Sequence, residues 1–223
     1  MDISPIIISM KTASAAIALT FLLGLFVVRW VVRLKSEKAK MVLDGILTLP
    51  LVLPPTVIGF LLLLVFGVNR PIGRVLLEFL GVKIVFSWSA TVIAAVVISF
   101  PLMYRSARSA FEQVDQNLVM AAKTLGMSER RIFWRIIMPL ALPGVAGGGI
   151  LAFARGLGEF GATAMIAGNI ANETRTLPLA IYAEVAAGNM QMAAYYVIIV
   201  MLISFLVVAS TNYFAMKERK YAK

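Results

Sequence analysis

Apolar stretches long enough to cross a bilayer alternate with short polar segments along the chain. A membrane-spanning helix needs about 20 mainly apolar residues. Stretches of this kind predict transmembrane helices at five places: residues 12–32, 45–68, 85–107, 139–167 and 191–215. We therefore expect an all-α integral membrane protein, with residues 1–223 forming one transmembrane domain of about five helices.

Two segments between these helices need separate treatment. Residues 112–136, called the polar segment below, form the longest polar interruption with an internal pattern. Residues 168–190 are predicted to be an outer loop with a short apolar helix. Because much of the stretch 156–187 is apolar, an additional or re-entrant helix there is the alternative, which would bring the number of helices to six.

Positive charge predicts the orientation. Fifteen of the 21 Lys and Arg residues follow the first helix, flank or occupy the polar segment, or lie in the C-terminal tail. Lys and Arg accumulate on the cytoplasmic side of membrane proteins. We therefore expect the N-terminus outside, the polar segment in the cytoplasm and the C-terminus inside.

The composition supports a membrane protein and argues against other classes. Apolar residues make up 61% of the chain and the mean hydropathy is +0.91. Only 14% of the residues are charged, against about a quarter in soluble domains. The net charge of +10 is explained by the cytoplasmic bias of Lys and Arg, so lipid rather than nucleic acid is the expected surrounding partner.

The residue types present offer little for catalysis. Cys and His are both absent, which removes thiolate metal ligands and the commonest general base. Gly156, Gly158 and Gly161 spell G-x-G-x-x-G, but no strand precedes them, and the sequence contains no phosphate-binding G-x-x-x-x-G-K-[ST]. We expect no catalytic residue, no metal site and no cofactor bound by this chain.

Two prolines interrupt the second predicted helix. Pro54 and Pro55 lie beyond its first turn, where proline removes a hydrogen-bond donor and kinks or breaks a helix. Such a break in a membrane is tolerated where neighbours or a wet cavity satisfy the freed carbonyls. Pro54 and Pro55 are therefore candidates for a transport pathway or gate, and a kink used only for packing is the alternative.

The fourth predicted helix carries a stripe of small residues and a charged pair. Gly144, Gly148 and Ala152 recur every four residues and predict close packing against another helix. Arg155 and Glu159 share a helix face and can pair. Because buried charge is costly in lipid, the pair should face the bundle interior, either as a gate or pathway element or as a neutralised pair that locks two helices.

The polar segment has the pattern of two short helices joined by a turn. Gly126 can adopt the left-handed backbone that ends a helix, and Ser128 can cap the next one, with Glu129 in its first turn. The segment also contains apolar residues, Leu125, Met127, Ile132, Phe133 and Trp134, for which a purely solvated loop has no use. We therefore predict a surface that docks another protein.

At these residues the chain resembles the permeases of type I ABC importers. Their cytoplasmic coupling loop has the pattern E-A-A, three residues, G, nine residues, I-x-L-P. Here the matching positions are Met120, Ala121, Ala122, Gly126 and Ile136 to Pro139. Methionine replaces the glutamate at position 120 and the leucine at position 138.

Longer stretches narrow this resemblance. The stretches LPLVLPPTVIGF, SFPLMYRSARSAFEQVD, LAFARGLGEFGATAMIAGNI and ETRTLPLAIY are similar to molybdate/tungstate permeases, with sulfate permeases next. The resemblance implies a homodimer in the prokaryotic inner or plasma membrane, two copies of a separate ATPase subunit that binds ATP, and an extracytoplasmic oxyanion-binding protein.

The function implied is import of a tetrahedral oxyanion, with molybdate as the expected substrate and sulfate or tungstate as alternatives. A carrier driven by an ion gradient is the other class considered. Such a carrier would need membrane-embedded carboxylates, and only Glu159 qualifies.

Overall fold

The computed structural model describes residues 2–221 of the chain and side chains up to residue 210. The described residues form α-helices and no β-strand. The helices are α1 (Ser4–Val32), α2 (Glu37–Thr48), α3 (Pro55–Phe66), α4 (Pro71–Leu80), α5 (Trp88–Glu112), α6 (Gln116–Thr124), α7 (Glu129–Ile132), α8 (Met138–Leu157), α9 (Gly161–Ile166), α10 (Leu177–Ala186) and α11 (Met190–Tyr221). A 3₁₀ turn, Leu49–Leu51, follows α2, and a π-helical turn, Phe133–Ile137, joins α7 to α8.

Within the described residues, four helical segments are long and apolar enough to cross a membrane: Ser4–Val32, Trp88–Glu112, Glu129–Leu157 and Met190–Ser210. A fifth crossing is possible through Glu37–Leu51 and Pro55–Phe66, which are bent by 107° relative to each other. The expectation of about five transmembrane helices agrees with these four or five apolar spans.

Two predicted helices differ from the structure at internal breaks. The second, 45–68, is divided between α2 and α3 because Pro54 adopts an extended backbone with φ −55° and ψ 137°. The fourth, 139–167, ends at Leu157, and a separate short helix, α9, begins at Gly161. Apolar content alone does not report such breaks, because the residues directly on both sides of each break are mainly apolar.

The ends of the other helices also differ from the prediction. α1 begins at Ser4 rather than residue 12, since the Asp2 carboxylate accepts a hydrogen bond from the Ser4 N–H at 2.8 Å and Pro5 suits a first turn. α5 spans Trp88–Glu112 rather than 85–107, and α11 begins at Met190. The side chains of the basic C-terminal tail lie outside the described residues.

Helices α1, α5 and α8 pack against one another and form the main core. Its buried side chains include Val28 and Val31 of α1, Met103 and Tyr104 of α5, and Val145 of α8. Hydroxyl pairs join α1 to α5 inside this core, at Thr12–Thr91 (2.9 Å) and Thr20–Ser99 (3.2 Å). These contacts satisfy buried polar groups where lipid offers none.

Candidate functional site

The polar segment begins with a capped helix. Asp115 is the N-cap of α6, and its carboxylate accepts a hydrogen bond from the Asn117 N–H at 2.9 Å. The helix ends at Thr124, and Gly126, two residues further on, has φ +74°. The Met127 N–H donates to the Ala122 carbonyl at 3.0 Å and the Gly126 N–H to that of Lys123 at 2.9 Å, the paired bonds of a Schellman turn. The left-handed backbone at this turn explains why glycine is used.

The start of the next helix is held differently from the prediction. Ser128 occupies the N-cap position of α7, but its side chain makes no capping hydrogen bond, so the predicted side-chain cap is wrong. An ion pair between Lys123 Nζ and Glu129 Oε1, at 2.8 Å, instead joins α6 to α7 across the turn. The two helices are therefore tied by charge as well as by the glycine turn.

One face of the polar segment is anchored in the core. Val119, Ala122, Ile132 and Phe133 are buried against α1 and α5. The Phe133 ring packs edge-on against Phe111 of α5, and the guanidinium of Arg29 lies 3.7 Å from its centroid. Such packing fixes the segment on the helix bundle, so it can move only together with that bundle.

The opposite face of the polar segment is exposed and apolar. Met120 is 63% exposed and Leu125 is 81% exposed, and Leu118 and Trp134 are also exposed. Ala121, Gly126 and Pro139 are exposed as well, whereas Ile136 is half-buried. An exposed apolar face on a charged, rigidly held segment is typical of a protein-docking surface. Of the predicted coupling positions, Ala122 is the one buried beneath this surface.

A second candidate site lies where two helix breaks meet. α3 begins at Pro55 and α9 begins at Gly161, and a Cβ added at Gly161 would lie 3.0 Å from Cβ of Pro55. Gly59, one turn further along α3, packs so closely that an added Cβ would lie 2.8 Å from Cα of Ala162. The two broken helices are therefore in direct backbone contact within the bundle.

Glu159 lies in the second break, between α8 and α9, and contacts both sides of it. Only 2% of its side chain is exposed, and one carboxylate oxygen accepts a hydrogen bond from Arg155 at 2.9 Å. The other oxygen accepts the Ala162 N–H at 2.8 Å, which caps the N-terminus of α9. The predicted pair of Arg155 and Glu159 is present, and Glu159 also has this capping role, which becomes visible only once the break is known.

The small residues of α8 lie against α5. A Cβ added at Gly144 would lie 2.8 Å from Cβ of Ala110, and one added at Gly148 would lie 2.4 Å from Cβ of Ser106. Ala152 is 1% exposed. The stripe therefore brings α8 close to the helix that leads into the polar segment.

Sequence reasoning missed the polar contacts between distant helices. Asp44 of α2 pairs with Arg108 of α5 and accepts a hydrogen bond from the Tyr104 hydroxyl. The two charged residues are separated by too much sequence for any periodic signal. The one indication in the sequence was Asp44 itself, because a carboxylate on an otherwise apolar stretch of α2 needs a partner on another helix.

The helical fold, with its four or five apolar spans in the described residues, is that of a membrane transport component. The family model for the inner membrane component of binding-protein-dependent transport systems matches residues 21–220, and the chain belongs to this family. It is a multi-pass membrane protein and a transport component.

Curated relatives narrow the similarity to molybdenum permeases. The chain is 45% identical over 182 residues to the molybdenum transport system permease protein ModB of Haemophilus influenzae, covering 82% of this chain and 79% of that protein. It is 46% identical over 177 residues to ModB of Escherichia coli K12, covering 79% and 77%. It is 42% identical over 203 residues to the putative molybdenum transport system permease protein YvgM of Bacillus subtilis, covering 91% and 89%.

Solved structures support the fold. A bacterial ABC transporter involved in the import of the acidic polysaccharide alginate matches with a TM-score of 0.76 and 12% identity, over 96% of this chain and 79% of that chain. An amino acid ABC transporter matches with a TM-score of 0.63 and 21% identity, over 98% and 92%. The predicted fold class, an all-α permease of the type I ABC importer kind, is confirmed.

Proposed function

We propose that this chain is the permease subunit of an ATP-driven importer of molybdate. The observation that carries the proposal is 42–46% identity to three molybdenum permeases over 79–91% of the chain. In this proposal the protein is a homodimer in the prokaryotic inner or plasma membrane. Two copies of a separate ATPase subunit bind ATP on its cytoplasmic side, and an extracytoplasmic binding protein delivers the oxyanion.

The geometry of the polar segment supports docking of the ATPase. Its exposed apolar face, which includes Met120 and Leu125, would be covered by that subunit. Its buried face is packed on α1 and α5 through Phe133 and neighbouring residues. Movement of the docked ATPase would therefore act on the helix bundle through a firmly attached lever, since docking must differ between two states to drive a change.

We assign the contact between the two helix breaks to the part of the transport pathway that moves. Pro55 and Gly161 touch within the bundle, and Arg155 is only partly buried beside Glu159. Both oxygens of Glu159 have partners, Arg155 and the Ala162 N–H. These contacts give Glu159 a structural role at the break, where it joins Arg155 to the start of α9.

Uptake into proteoliposomes tests the function. The permease is reconstituted with the ATPase of its own operon and the purified binding protein, and entry of radioactive molybdate is measured. We expect uptake that requires internal-facing ATP and the binding protein and that persists with a protonophore. Stronger competition by sulfate or tungstate than by unlabelled molybdate would transfer the assignment to those anions, and uptake without ATP would contradict the proposal.

A substitution at Gly126 tests the coupling surface. Gly126→Val should reduce uptake by at least tenfold, because a β-branched residue is strained at φ +74° and would distort the turn between α6 and α7. Nothing lies within 4 Å of an added Cβ at Gly126, so the cause is backbone strain rather than a clash. Uptake and co-purification of the ATPase are both measured.

Gly147→Ala serves as the control, since an added Cβ there also meets nothing within 4 Å while the backbone is helical. We expect it to transport normally. Full uptake and normal ATPase binding by Gly126→Val would show that the polar segment is not the coupling element.

A further inference from the structure

Arg108 of α5 has two carboxylate partners on different helices. It pairs with Asp44 of α2 and, through Nε at 2.7 Å, with Glu112 one turn further along α5. The hydroxyl of Tyr104, which is 1% exposed, also donates a hydrogen bond to Asp44. This group is the one ion-pair network in the described part of the chain that joins α2 to another helix.

Helix α2 has few contacts with the bundle. None of its residues is fully buried, although Leu43 and Leu47 are partly buried against the main core. Its other ion pair, Lys40 with Glu37, lies within the helix, and exposed pairs of that kind contribute little to stability. Asp44 therefore supplies the one ion pair in the described residues that attaches α2 to α5, beside the packing of Leu43 and Leu47.

The network lies between the two candidate sites. α2 continues through Leu49–Leu51 to the 107° bend in front of α3, whose first residue contacts α9. α5 ends at Glu112 and leads into the polar segment. The pair of Asp44 and Arg108 therefore connects α5, the helix that leads into the docking segment, to α2, the helix that leads into the break.

The groups around Asp44 and Arg108 lower the cost of breaking their ion pair. If α2 moves away, Arg108 retains Glu112, so no unpaired guanidinium is left behind. Asp44 borders a cavity of about 300 Å³ that is also lined by Thr48 and Arg105, so water can solvate the released carboxylate. The charge left uncompensated when a partly buried ion pair breaks is thereby reduced, and the remaining cost is the acceptor that the buried Tyr104 hydroxyl loses.

We propose that Arg108 is a switchable tether that holds α2 on α5 in one state of the transport cycle and pairs with Glu112 alone in the other. Rotation of α5 with the docked ATPase is thereby transmitted to the bend at Pro54 and Pro55. Arg108 and Asp44 are positioning residues, since they act through α2. This role rests on the proposed function of the chain as an ATP-driven permease.

A double-mutant cycle tests whether the two residues act together. Asp44→Asn and Arg108→Gln should each lower molybdate uptake roughly 3- to 10-fold, because either substitution removes the interhelical ion pair that the two residues share. The double variant should take up molybdate at least as fast as the single variant with the lower uptake. ATPase co-purification should be unchanged, and Glu37→Gln on the same helix should transport normally.

Two results would overturn the proposed tether. One is wild-type uptake by Asp44→Asn, and the other is a double variant whose fold-loss of uptake equals the product of the two single fold-losses. Absence of molybdate uptake by the unmutated complex would instead contradict the proposed function and leave the following distance measurement decisive. The two failures are therefore distinguishable.

Spin labels measure the position of α2 directly, without transport. The chain contains no cysteine, so Met41→Cys on α2 and Val32→Cys on α1, both exposed, introduce two labelling sites per protomer, and mixing with an excess of unlabelled protomers isolates the distance within one chain. In the assembled complex, Asp44→Asn should lengthen or broaden the distance distribution. Glu112→Gln, which removes the alternative partner, should narrow it, and a distribution unaltered by both substitutions would overturn the proposal.

Discussion

Two stretches of similar sequence, LPLVLPP at residues 49–55 and MPLALPG at residues 138–144, fold in different ways. The first forms a 3₁₀ turn and then breaks, with a bend of 107° before α3. The second continues as one α-helix through Pro139 and Pro143 to Leu157. The comparison separates the effect of one proline in a helix from the effect of two in succession.

The residue after the second proline of each stretch accounts for the difference. A residue that precedes proline is disfavoured in the α conformation but not barred from it, since Met138 before Pro139 is helical. Pro54, which precedes Pro55 and is itself a proline, is extended, with ψ 137°. Pro143 precedes Gly144 instead, so it can remain helical. Gly144 also lets α8 pack closely against Ala110 of α5. This packing stabilises the helix where Pro143 cannot donate a backbone hydrogen bond.

The largest expected effect comes from converting the second stretch into the first. Gly144→Pro creates two successive prolines at 143–144 and should lower the free energy of unfolding by about 3 kcal/mol or more. Thermal unfolding of the detergent-solubilised protein and its elution profile are measured. Gly144→Ala is the control, because it adds the Cβ contact with Ala110 without the backbone restriction. Equal melting temperatures for the two variants would show that successive prolines do not cause the break.

This comparison also marks what can be predicted from sequence. The interruption at Pro54 and Pro55 was predictable because proline restricts its own backbone and that of the residue before it. The turn at Gly126 was predictable for a similar local reason. The angle of the bend was not, since it depends on the contact of α3 with α9, a helix that follows it by about a hundred residues.

Contacts between distant residues account for most of what sequence reasoning missed. The break before α9 depends on Glu159, whose carboxylate was predicted to pair with Arg155 but also caps the new helix. The pairing of Asp44 with Arg108 has no local pattern at all. The glycine turn and apolar residues of the polar segment predicted a docking surface, and the family resemblance named it as a coupling loop, but neither identified its π-helical end, Phe133–Ile137.

A smaller effect tests whether packing on α5 keeps α8 straight. Gly148→Ala should lower the free energy of unfolding by roughly 1–3 kcal/mol, because the new Cβ would lie 2.4 Å from Cβ of Ser106. Gly147→Ala, one residue away, meets nothing within 4 Å and should be neutral or slightly stabilising. Thermal unfolding of the two variants measures the difference. Equal melting temperatures would mean that α8 does not depend on this close approach.

The smallest expected change in stability, within about 1 kcal/mol, comes from Pro55→Ala, which removes the proline pair from the first stretch. With Pro54 no longer followed by proline, its backbone can return toward the α conformation and the bend should open. Spin labels at Met41→Cys and Leu64→Cys would report this as a longer distance, since straightening two helices moves their far ends apart.

Pro50→Ala is the control for this measurement, because Pro50 lies in a first turn where its missing donor costs little. The expected lengthening is modest, because Gly59 still packs against Ala162 and holds α3 on α9. If the distance between the two labels is unchanged by Pro55→Ala but lengthened by Gly59→Ala, the contact between α3 and α9 causes the bend and the proline pair does not. The two stretches would then differ in what they pack against rather than in the residue that follows their second proline.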